Sequence, residues 1–418
     1  IVAKFGGTSV ADSSCINRVL KIVQINSKKQ VVVVSAFGGI TNMIQESAAL
    51  AANGDLKYQE ILLEVEKRHL SCIKKLIPIE KQSKVLSQIK QQLNALGTLH
   101  EGVYLLKELS PKTKDHMLGF GELLSYYIIA KAAEVLKLDV GLKNTRDLIF
   151  TIEDMGKNIV DYPKTFQSIR SYFKTVEHRI TIVPGFVASD LNGVPTTLGR
   201  GGSDLTAALF ASALDADQLE IWTDVSGMFT AHPKYVKQAR AIKQLSYHEA
   251  MELSHFGAKV IYPPTLQPVA EKNIPVAVKN TFQPNEPGTF ISNKSASNGE
   301  VVRGISYIES IALLTLEGSG MIGIPGYSKK LLSTLAKAKI NVIMMTQASS
   351  EHSICIGIEN DLATQAKKLI EKDFDYEIET QRINPISIEN NLSIIALVGE
   401  KMKSFQGISG KMFSALGR

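Results

Sequence analysis

The chain has 418 residues, a formal net charge of +6 and 44% hydrophobic residues, a composition typical of a soluble globular protein with two or three domains. Its apolar runs are shorter than the ~18 residues of a membrane-spanning helix, and it has no basic block of the kind that binds nucleic acid. Three widely spaced cysteines without a C-x-x-C pair predict buried, reduced thiols and a cytoplasmic location. We therefore expect neither a membrane nor a nucleic acid among its partners.

The first predicted element is a buried strand, residues 1–5, that runs directly into two glycines. Lys4 places a cation beside Gly6 and Gly7, whose backbone N–H groups can approach an anion closely because no side chain intervenes. The spacing is not that of a Walker loop. By itself, the segment is equally compatible with a tight turn beside a solvated lysine.

Strands and helices then alternate up to about residue 297. Continuous apolar runs at residues 30–36, 179–187 and 218–223 predict strands that are covered on both faces, and residues 121–133 predict one of the intervening helices. This alternation predicts a mostly parallel α/β sheet, in which ligands bind at the carboxyl ends of the strands.

Residues 55–109 interrupt this alternation with a charged segment of helical period. A segment of this kind is either a helical subdomain or a mobile lid over the substrate. The sequence leaves both interpretations open.

A second glycine cluster, residues 199–204, precedes an apolar helix that begins near Leu205. Ser203 or Asp204 can cap this helix, whose N-terminal amides favour an anion. Arg200 adds a planar charge suited to a carboxylate or phosphate. Two strand–glycine–helix units, each with a cation, predict a site for a polyanion, although both clusters also fit purely structural turns.

In the tail, from about residue 306, the pattern of predicted strands and helices changes. The new pattern predicts the β-α-β-β-α-β order of a ferredoxin-like unit. The predicted elements are a strand at 311–316, a helix at 328–339, strands at 341–346 and 353–358, a helix at 362–374 and a strand near 376–380.

The tail also contains an internal repeat. A shift of 81 residues aligns Gly318 with Gly399 and Gly326 with Gly407, together with several flanking apolar and polar positions. The repeat predicts a first unit at 306–385 and a second at 390–418. Because the second copy stops inside its first helix, we expect it to be a truncated unit.

Six motifs in this order resemble those of the aspartate kinases within the amino-acid kinase family. The resemblance implies a mostly parallel, three-layer α/β amino-acid kinase domain at 1–297, followed by ferredoxin-like ACT regulatory domains. The motifs are Lys4–Ser9, Ser35–Asn42, Gly121–Glu122, Gly199–Asp204, Trp222–Val225 and Phe256–Val260.

The chemistry that this resemblance implies is phosphoryl transfer from ATP to the β-carboxylate of L-aspartate. A carboxylate with a reference pKa of about 4 is already ionised at pH 7, so the nucleophile needs no general base. The enzyme must supply in-line positioning and charge neutralisation. Mg²⁺ is expected to bridge the nucleotide phosphates and to be held mostly by them and by water, without a dedicated protein metal site.

The resemblance also implies the roles of individual residues. Arg200 would bind the α-carboxylate of aspartate and Glu122 its α-ammonium, although Glu122 alone reads as a first-turn acid favoured by the helix dipole. Asp204 would either orient Lys4 or cap its helix. The implied catalytic residues are Lys4, Gly7 and Asp204, and the implied substrate-binding residues are Ser35, Thr41, Glu122, Arg200, Gly201 and Ser203.

Two positions on the implied nucleotide side depart from the family pattern. Phe229 stands where many relatives have tyrosine. Lys234 stands where arginine is frequent, and lysine lacks the bidentate hydrogen-bonding geometry of a guanidinium. Lys259 by itself reads as a surface lysine. The implied nucleotide-binding residues are Lys4, Gly6, Gly7, Thr8, Ser9, Thr223, Asp224, Phe229, Lys234 and Lys259.

In the tail, the resemblance implies an amino-acid effector that contacts Gly323, Gln347 and Ser349. The Thr-Gln-x-Ser-Ser-Glu context is similar to threonine-sensitive aspartate kinases, including those fused to homoserine dehydrogenase. This similarity favours the kinase portion of such a fused, threonine-sensitive enzyme. The alternatives are a monofunctional, lysine-sensitive aspartate kinase and a non-catalytic amino-acid sensor. ACT units usually pair edge to edge, so a homodimer or homotetramer is expected.

Overall fold

The computed structural model describes residues 1–154, 156–255, 260–294, 300–347, 349 and 351–417. These residues form two compact units, the first comprising Ile1–Gly304 together with the chain from Val398 onward, and the second Ile305–Leu397. No helix among the described residues is long and apolar enough to cross a membrane.

The first unit contains twelve of the described strands. They are β1 (Val2–Phe5), β2 (Gln30–Val34), β3 (Val140–Leu142), β4 (Phe150–Asp154), β5 (Lys157–Val160), β6 (Ile180–Pro184), β7 (Val187–Asp190), β8 (Pro195–Thr197), β9 (Leu219–Thr223), β10 (Gln244–Ser246), β11 (Val276–Asn280) and β12 (Thr289–Ser292).

Helices connect these strands. They are α1 (Ser13–Ile25), α2 (Ile40–Ala52), α3 (Tyr58–Leu76), α4 (Ile79–Leu106), α5 (Pro111–Leu118), α6 (Phe120–Val135), α7 (Tyr162–Phe173), α8 (Gly202–Ala213), α9 (Tyr247–His255) and α10 (Leu266–Glu271).

The main sheet has eight strands in the order β10-β12-β11-β9-β1-β2-β6-β3. Every neighbouring pair in this sheet is parallel except β11 with β12. Lys4 on the central strand β1 lies between Val33 of β2 and Ile221 of β9. The predicted mostly parallel α/β class is confirmed.

Helices cover both faces of this sheet. Apolar side chains of α1 to α6 pack with Phe5 and Val34 on one face, and those of α7 to α10 pack with Val33 and Ile221 on the other. The result is a three-layer core. Helices α3 and α4 bury a stripe that includes Val65 and belongs to the first of these two clusters, so this hairpin is part of the packed core.

The strand predicted at 179–187 is two strands in different sheets. The chain leaves β6 after Pro184, and Phe186 adopts a left-handed conformation with φ of 67°. This turn redirects the chain into β7, which belongs to a second sheet in the order β5-β4-β7-β8. A continuous apolar run does not reveal such a change of direction, because the residues on both sides of it are buried.

The second unit has a four-stranded sheet with helices packed on it. Its elements are β13 (Gly304–Glu317), α11 (Tyr327–Lys337), β14 (Met344–Gln347), β15 (Ser353–Glu359), α12 (Ala363–Asp373), α13 (Asp375–Glu379) and β16 (Ser387–Val398). The sheet order is β14-β15-β13-β16, as in a ferredoxin-like unit.

The strand predicted near 376–380 is wrong, because this segment is helix α13. The Ile378 N–H donates to the carbonyl of Phe374, which is fully buried, so the chain continues with a helical turn that keeps Ile378 against the core. The fourth strand of the sheet is instead β16. The strand predicted at 341–346 begins only at Met344.

The repeated segments have matching backbone conformations. Gly318 and Gly399 have φ,ψ of 167°,144° and 168°,128°. Gly326 and Gly407 are both left-handed residues that precede a helix, α11 and α14 (Ile408–Leu416) respectively. The internal sequence repeat therefore corresponds to a repeat of local structure.

Candidate active site

The ends of strands β1, β2 and β9 meet at one edge of the main sheet. The Gly6 N–H donates to the Trp222 carbonyl at 3.0 Å, and the Ser35 N–H donates to the Phe5 carbonyl at 3.2 Å. A Cβ atom on Gly7 would lie 3.1 Å from the Ala36 carbonyl oxygen. The first two glycine turns are therefore packed backbone against backbone, which leaves little room for side chains there.

Lys4 forms an ion pair across this edge. Its Nζ lies 2.6 Å from Oδ1 of Asp204 in the first turn of α8, and both side chains are only 12% exposed. Apart from Lys4, Oδ1 of Asp204 has no partner among the described residues, so it does not cap the helix. Of the two interpretations left open by the sequence, the geometry favours Asp204 as the residue that orients Lys4.

The turn before α8 packs closely against neighbouring residues. Gly201 has φ of 69°, and a Cβ atom there would lie 2.3 Å from the Cβ of Tyr262. Ser203 packs over Gly185 in the same way. These contacts fix the position of the turn that carries Arg200.

Arg200 is the exposed cation of this turn. Its guanidinium forms no ion pair or hydrogen bond with the described residues. Because a guanidinium offers a planar fork of donors, Arg200 is available to bind a carboxylate or phosphate from solution.

Glu122 supplies the buried carboxyl group of the site. It lies in the first turn of α6 and is 4% exposed. Burial raises the pKa of its carboxyl group to about 8, although hydrogen bonds from backbone N–H groups and the charge of Lys4 oppose this shift. Its Oε2 is buried and has no hydrogen-bond partner among the described residues, so the side chain is suited to a cationic ligand such as an ammonium group.

Ser35 and Thr41 flank the second glycine turn. The carbonyl of Ser35 accepts a hydrogen bond of 2.6 Å from the Ser125 hydroxyl, which ties the end of β2 to α6. Within the described part of the chain, neither the Ser35 nor the Thr41 hydroxyl has a hydrogen-bond partner. Both hydroxyls are therefore available to a ligand.

The residues predicted for the nucleotide follow β9. The Thr223 hydroxyl donates to Oδ1 of Asp224 at 3.1 Å. Phe229 is half-buried and pairs with Ala241 in an isolated β-bridge. Lys234 is exposed, with its Nζ 5.4 Å from the centre of the Tyr235 ring. Lys259 lies outside the described residues.

Thr8 and Ser9, both predicted for the nucleotide, have different surroundings. Thr8 is exposed, whereas Ser9 is fully buried. The Ser9 hydroxyl lies 2.7 Å from the Thr281 hydroxyl and 3.4 Å from the Trp222 carbonyl. In this structure the Ser9 side chain links the first turn to its neighbours rather than facing solvent.

Two charged residues that support the site were not predicted. Glu220 on β9 accepts hydrogen bonds from the Trp222 indole at 2.9 Å and from Lys279 Nζ at 2.8 Å. Arg68 on α3 donates to the Gly38 carbonyl at 2.8 Å. A glutamate inside an otherwise apolar strand was a usable signal, whereas an arginine in a charged helix was not.

The predicted effector residues lie in the second unit. The Gly323 N–H donates to a carboxylate oxygen of Glu351 at 2.9 Å, and the Ser328 hydroxyl donates to the Gln347 side-chain oxygen at 3.2 Å. Ser349 is exposed in the turn after β14. These contacts bring the loop before α11 and the turn after β14 together, and they add Glu351 to the predicted set.

Comparison with protein families gives two matches. The amino acid kinase family matches residues 1–280, and an ACT domain matches residues 314–374.

Among similar proteins, the bifunctional aspartokinase/homoserine dehydrogenase of Daucus carota is 33% identical over 427 residues, covering 100% of this chain and 46% of the relative. The chain thus spans about half the length of such relatives. Lysine-sensitive aspartokinase 3 of Escherichia coli is 29% identical over 417 residues, covering 100% of this chain and 90% of the relative.

Among solved structures, E. coli aspartokinase III in complex with aspartate and ADP superposes with a TM-score of 0.85 at 28% identity, covering 99% of this chain and 91% of that chain. The same enzyme in complex with lysine and aspartate gives a TM-score of 0.76 at 29% identity, covering 99% and 90%.

Proposed function

This chain belongs to the amino acid kinase family, and on that premise we propose that it is an aspartate kinase, which transfers the γ-phosphoryl group of ATP to the β-carboxylate of L-aspartate. The observation that carries the proposal is the buried Glu122 carboxyl group, whose Oε2 has no partner among the described residues and which lies close enough to Lys4 for the lysine charge to lower its pKa. An amino-acid kinase needs an anion for the substrate ammonium and a cation for the phosphates. A non-catalytic sensor has no reason to place them together.

The amino acid is held at its two charged α-groups. Glu122 binds the ammonium, which supplies the partner that its buried oxygen lacks, and Arg200 binds the α-carboxylate through two parallel hydrogen bonds. Ser35 and Thr41 orient the substrate through their hydroxyls. This arrangement leaves the β-carboxylate free to reach the phosphates.

ATP enters as its magnesium complex. The first glycine turn fits phosphates because Gly6 and Gly7 have no side chains, so an anion can approach the backbone beside Lys4. Mg²⁺ would be held mostly by the phosphates and by water, as is usual for magnesium bound to a nucleotide. We assign Thr223, Asp224, Phe229 and Lys234 to the nucleoside side, together with Lys259, which lies outside the described residues.

The transfer itself is a single displacement. A β-carboxylate oxygen of aspartate forms a bond to the γ-phosphorus, the bond from that phosphorus to the β,γ-bridging oxygen breaks, and ADP leaves with the electron pair. Lys4 stabilises the charge on the transferring group, and Asp204 keeps the lysine in place. No proton has to be removed from the nucleophile, because the carboxylate is ionised at neutral pH.

The proposed regulation is feedback inhibition by an amino acid bound in the ACT unit. The contacts among Gly323, Gln347, Glu351 and their neighbours support a ligand site at this end of the unit. We favour threonine as effector and a kinase portion of a bifunctional aspartokinase/homoserine dehydrogenase, since such proteins match the whole chain at 33% identity. The lysine-sensitive monofunctional enzyme is the alternative, supported by the 29% match over 90% of that relative.

The assembly proposed is a homodimer or homotetramer formed through ACT units. The three cysteines are free, and Cys15 and Cys72 are buried, which favours a reducing compartment such as the cytoplasm.

The proposal is tested by measuring ADP release with L-aspartate as acceptor. L-Asparagine is the matched control, because it keeps both α-groups and lacks only the β-carboxylate. We expect release with aspartate and none above background with asparagine. Equal release with both compounds, or none with either, would overturn the proposal.

A further inference from the structure

The second glycine turn is held from outside by a helix that the proposed chemistry does not use. Arg68 of α3 donates from Nη2 to the Gly38 carbonyl at 2.8 Å and lies 3.4 Å from the Ala11 carbonyl. Its Nη1 lies 3.8 Å from the sulfur of Met43 in α2. One half-buried guanidinium therefore bridges the segment after the first glycine turn, the second glycine turn and the helix that follows it.

The residue that follows Arg68 in α3 packs against the same turn. His69 is fully buried, and its ring stacks on Phe37 with a centroid distance of 4.7 Å and an interplanar angle of 12°. Burial lowers the pKa of His69 to about 4, so the ring is neutral at pH 7. Consecutive residues of α3 thus hold Phe37 and Gly38, the consecutive residues that begin the turn.

Among the residues that the structure describes, Arg68 has no carboxylate partner. Its hydrogen bonds go instead to two carbonyl oxygens and a thioether. A surface arginine retained for solubility would point to solvent or pair with an acid. Here the charge strengthens hydrogen bonds to backbone, and such charge-assisted bonds are about twice as strong as neutral ones.

Fixing this carbonyl also fixes the amide beside it. In a trans peptide unit, the Gly38 C=O and the Gly39 N–H point in opposite directions, so a carbonyl held by Arg68 directs that N–H away from α3. Gly39 has φ of 85° and precedes α2 without a side-chain cap. The orientation of the turn between Ser35 and Thr41 thus depends on Arg68.

From this geometry we propose that Arg68 is a positioning residue for the amino-acid substrate. It holds the turn at residues 37–39 so that Ser35, Thr41 and the first amides of α2 face the substrate, without itself touching the reacting atoms. The assignment rests on the proposed kinase function, and it makes α3 a structural part of the active site.

The kinetic test compares Arg68→Met, Arg68→Lys and the control Lys67→Met. The Lys67 side chain is 79% exposed and forms an ion pair with Glu64. We expect Arg68→Met to lower kcat/KM for aspartate about tenfold to a hundredfold, the range expected for losing a hydrogen bond from a charged group. The KM for ATP stays within about twofold. Arg68→Lys restores part of the activity, and Lys67→Met changes neither constant.

A second readout does not depend on activity. Hydrogen–deuterium exchange of the peptide covering residues 35–43 should become faster in Arg68→Met and in the milder Arg68→Gln, but not in Lys67→Met. Unchanged exchange at residues 35–43, or equal increases in KM for aspartate and ATP at unchanged exchange, would overturn the assignment. If the unmodified protein shows no aspartate-dependent turnover, the kinase proposal fails by itself, and faster exchange in the variants would still support the role of Arg68 in holding the turn.

Discussion

Lys4 and Asp204 are 200 positions apart in the sequence, yet their side chains meet at 2.6 Å. The pair joins the central strand β1 to the first turn of α8. It thereby connects the two glycine clusters and holds a cation at the carboxyl edge of the sheet, where ligands bind in α/β folds.

We predict that Lys4→Met abolishes phosphoryl transfer while leaving effector binding intact. Loss of one group that stabilises transition-state charge lowers kcat by about 10²–10³, and here the only cation of the first turn is removed. ADP release measures the change. Because Lys4→Met leaves the Asp204 carboxylate unpaired, the double variant Lys4→Met/Asp204→Asn controls for stability. Turnover close to that of the unmodified protein would contradict the assignment of Lys4.

Arg200→Ala should raise the KM for aspartate far more than the KM for ATP, because the guanidinium is assigned to the α-carboxylate. Its side chain is exposed and unpaired among the described residues, so the free energy of unfolding should change by less than about 0.5 kcal/mol. Lys174→Ala is the matched control, since it removes an exposed cation elsewhere. Equal changes in both KM values would refute the assignment.

Glu122 predicts a pH dependence of aspartate binding. Its pKa of about 8 means that the free protein carries the protonated carboxyl at pH 7, whereas the bound ammonium favours the carboxylate. Aspartate binding should therefore release a proton at pH 7, and affinity should rise with pH until about 8. Calorimetry in buffers of different ionisation enthalpy measures this release. Glu122→Gln should bind aspartate weakly and release no proton.

The same carboxyl group predicts how stability changes with pH. The folded-state pKa of Glu122 is raised from 4.5 to about 8, so between these values the folded protein retains a proton that the unfolded chain has lost. Folded stability from this group therefore falls as pH rises through that window. The Tm of Glu122→Gln should therefore decrease less with rising pH than the Tm of the unmodified protein. An identical dependence of Tm on pH in both proteins would argue against a raised pKa.

Gly201→Ala should destabilise the protein more than Gly193→Ala. Both positions have left-handed φ, 69° and 80°, so each substitution adds a backbone strain of about 1 kcal/mol. Only Gly201 also faces Tyr262, 2.3 Å from the position of a Cβ atom, whereas nothing lies within 4 Å at Gly193. Chemical denaturation distinguishes the two, and equal losses would show that the contact with Tyr262 relaxes freely.

In the second unit, Gln347→Ala should raise the threonine concentration needed for half-inhibition. The Gln347 side chain accepts a hydrogen bond from Ser328 at 3.2 Å, so Ser328→Ala should produce a smaller change in the same direction. Inhibition assays with threonine and with lysine measure both variants. Inhibition by lysine alone would favour the monofunctional alternative.

The sequence was sufficient for the parts of the fold that depend on local signals. The continuous apolar run of β2 and the glycine pair after Phe5 predicted buried strands with ligand-binding edges, and the aspartate-kinase resemblance and the α/β class are confirmed. The 81-residue repeat was also visible as paired glycines. The strand and glycine-turn signals are local because an apolar run and a glycine turn each depend on a few adjacent residues, whereas the repeat is visible because whole segments are similar.

Other features depend on tertiary contacts and were not predicted from the sequence. Arg68 donates to a backbone carbonyl 30 residues away. Every residue has a backbone carbonyl, so the sequence does not show which one an arginine contacts. The segment around Tyr376 and Ile378 alternates as a strand would, but packing of Ile378 beside Phe374 favours a helix. Phe186 turns the chain between two sheets within a run that is apolar on both sides.

The most direct test of the central claim is to trap the acyl phosphate with hydroxylamine during turnover with ATP and L-aspartate. The account predicts that aspartate β-hydroxamate forms in step with ADP, and that Lys4→Met forms neither product. ADP release without hydroxamate, or hydroxamate formation by Lys4→Met at the rate of the unmodified protein, would contradict it.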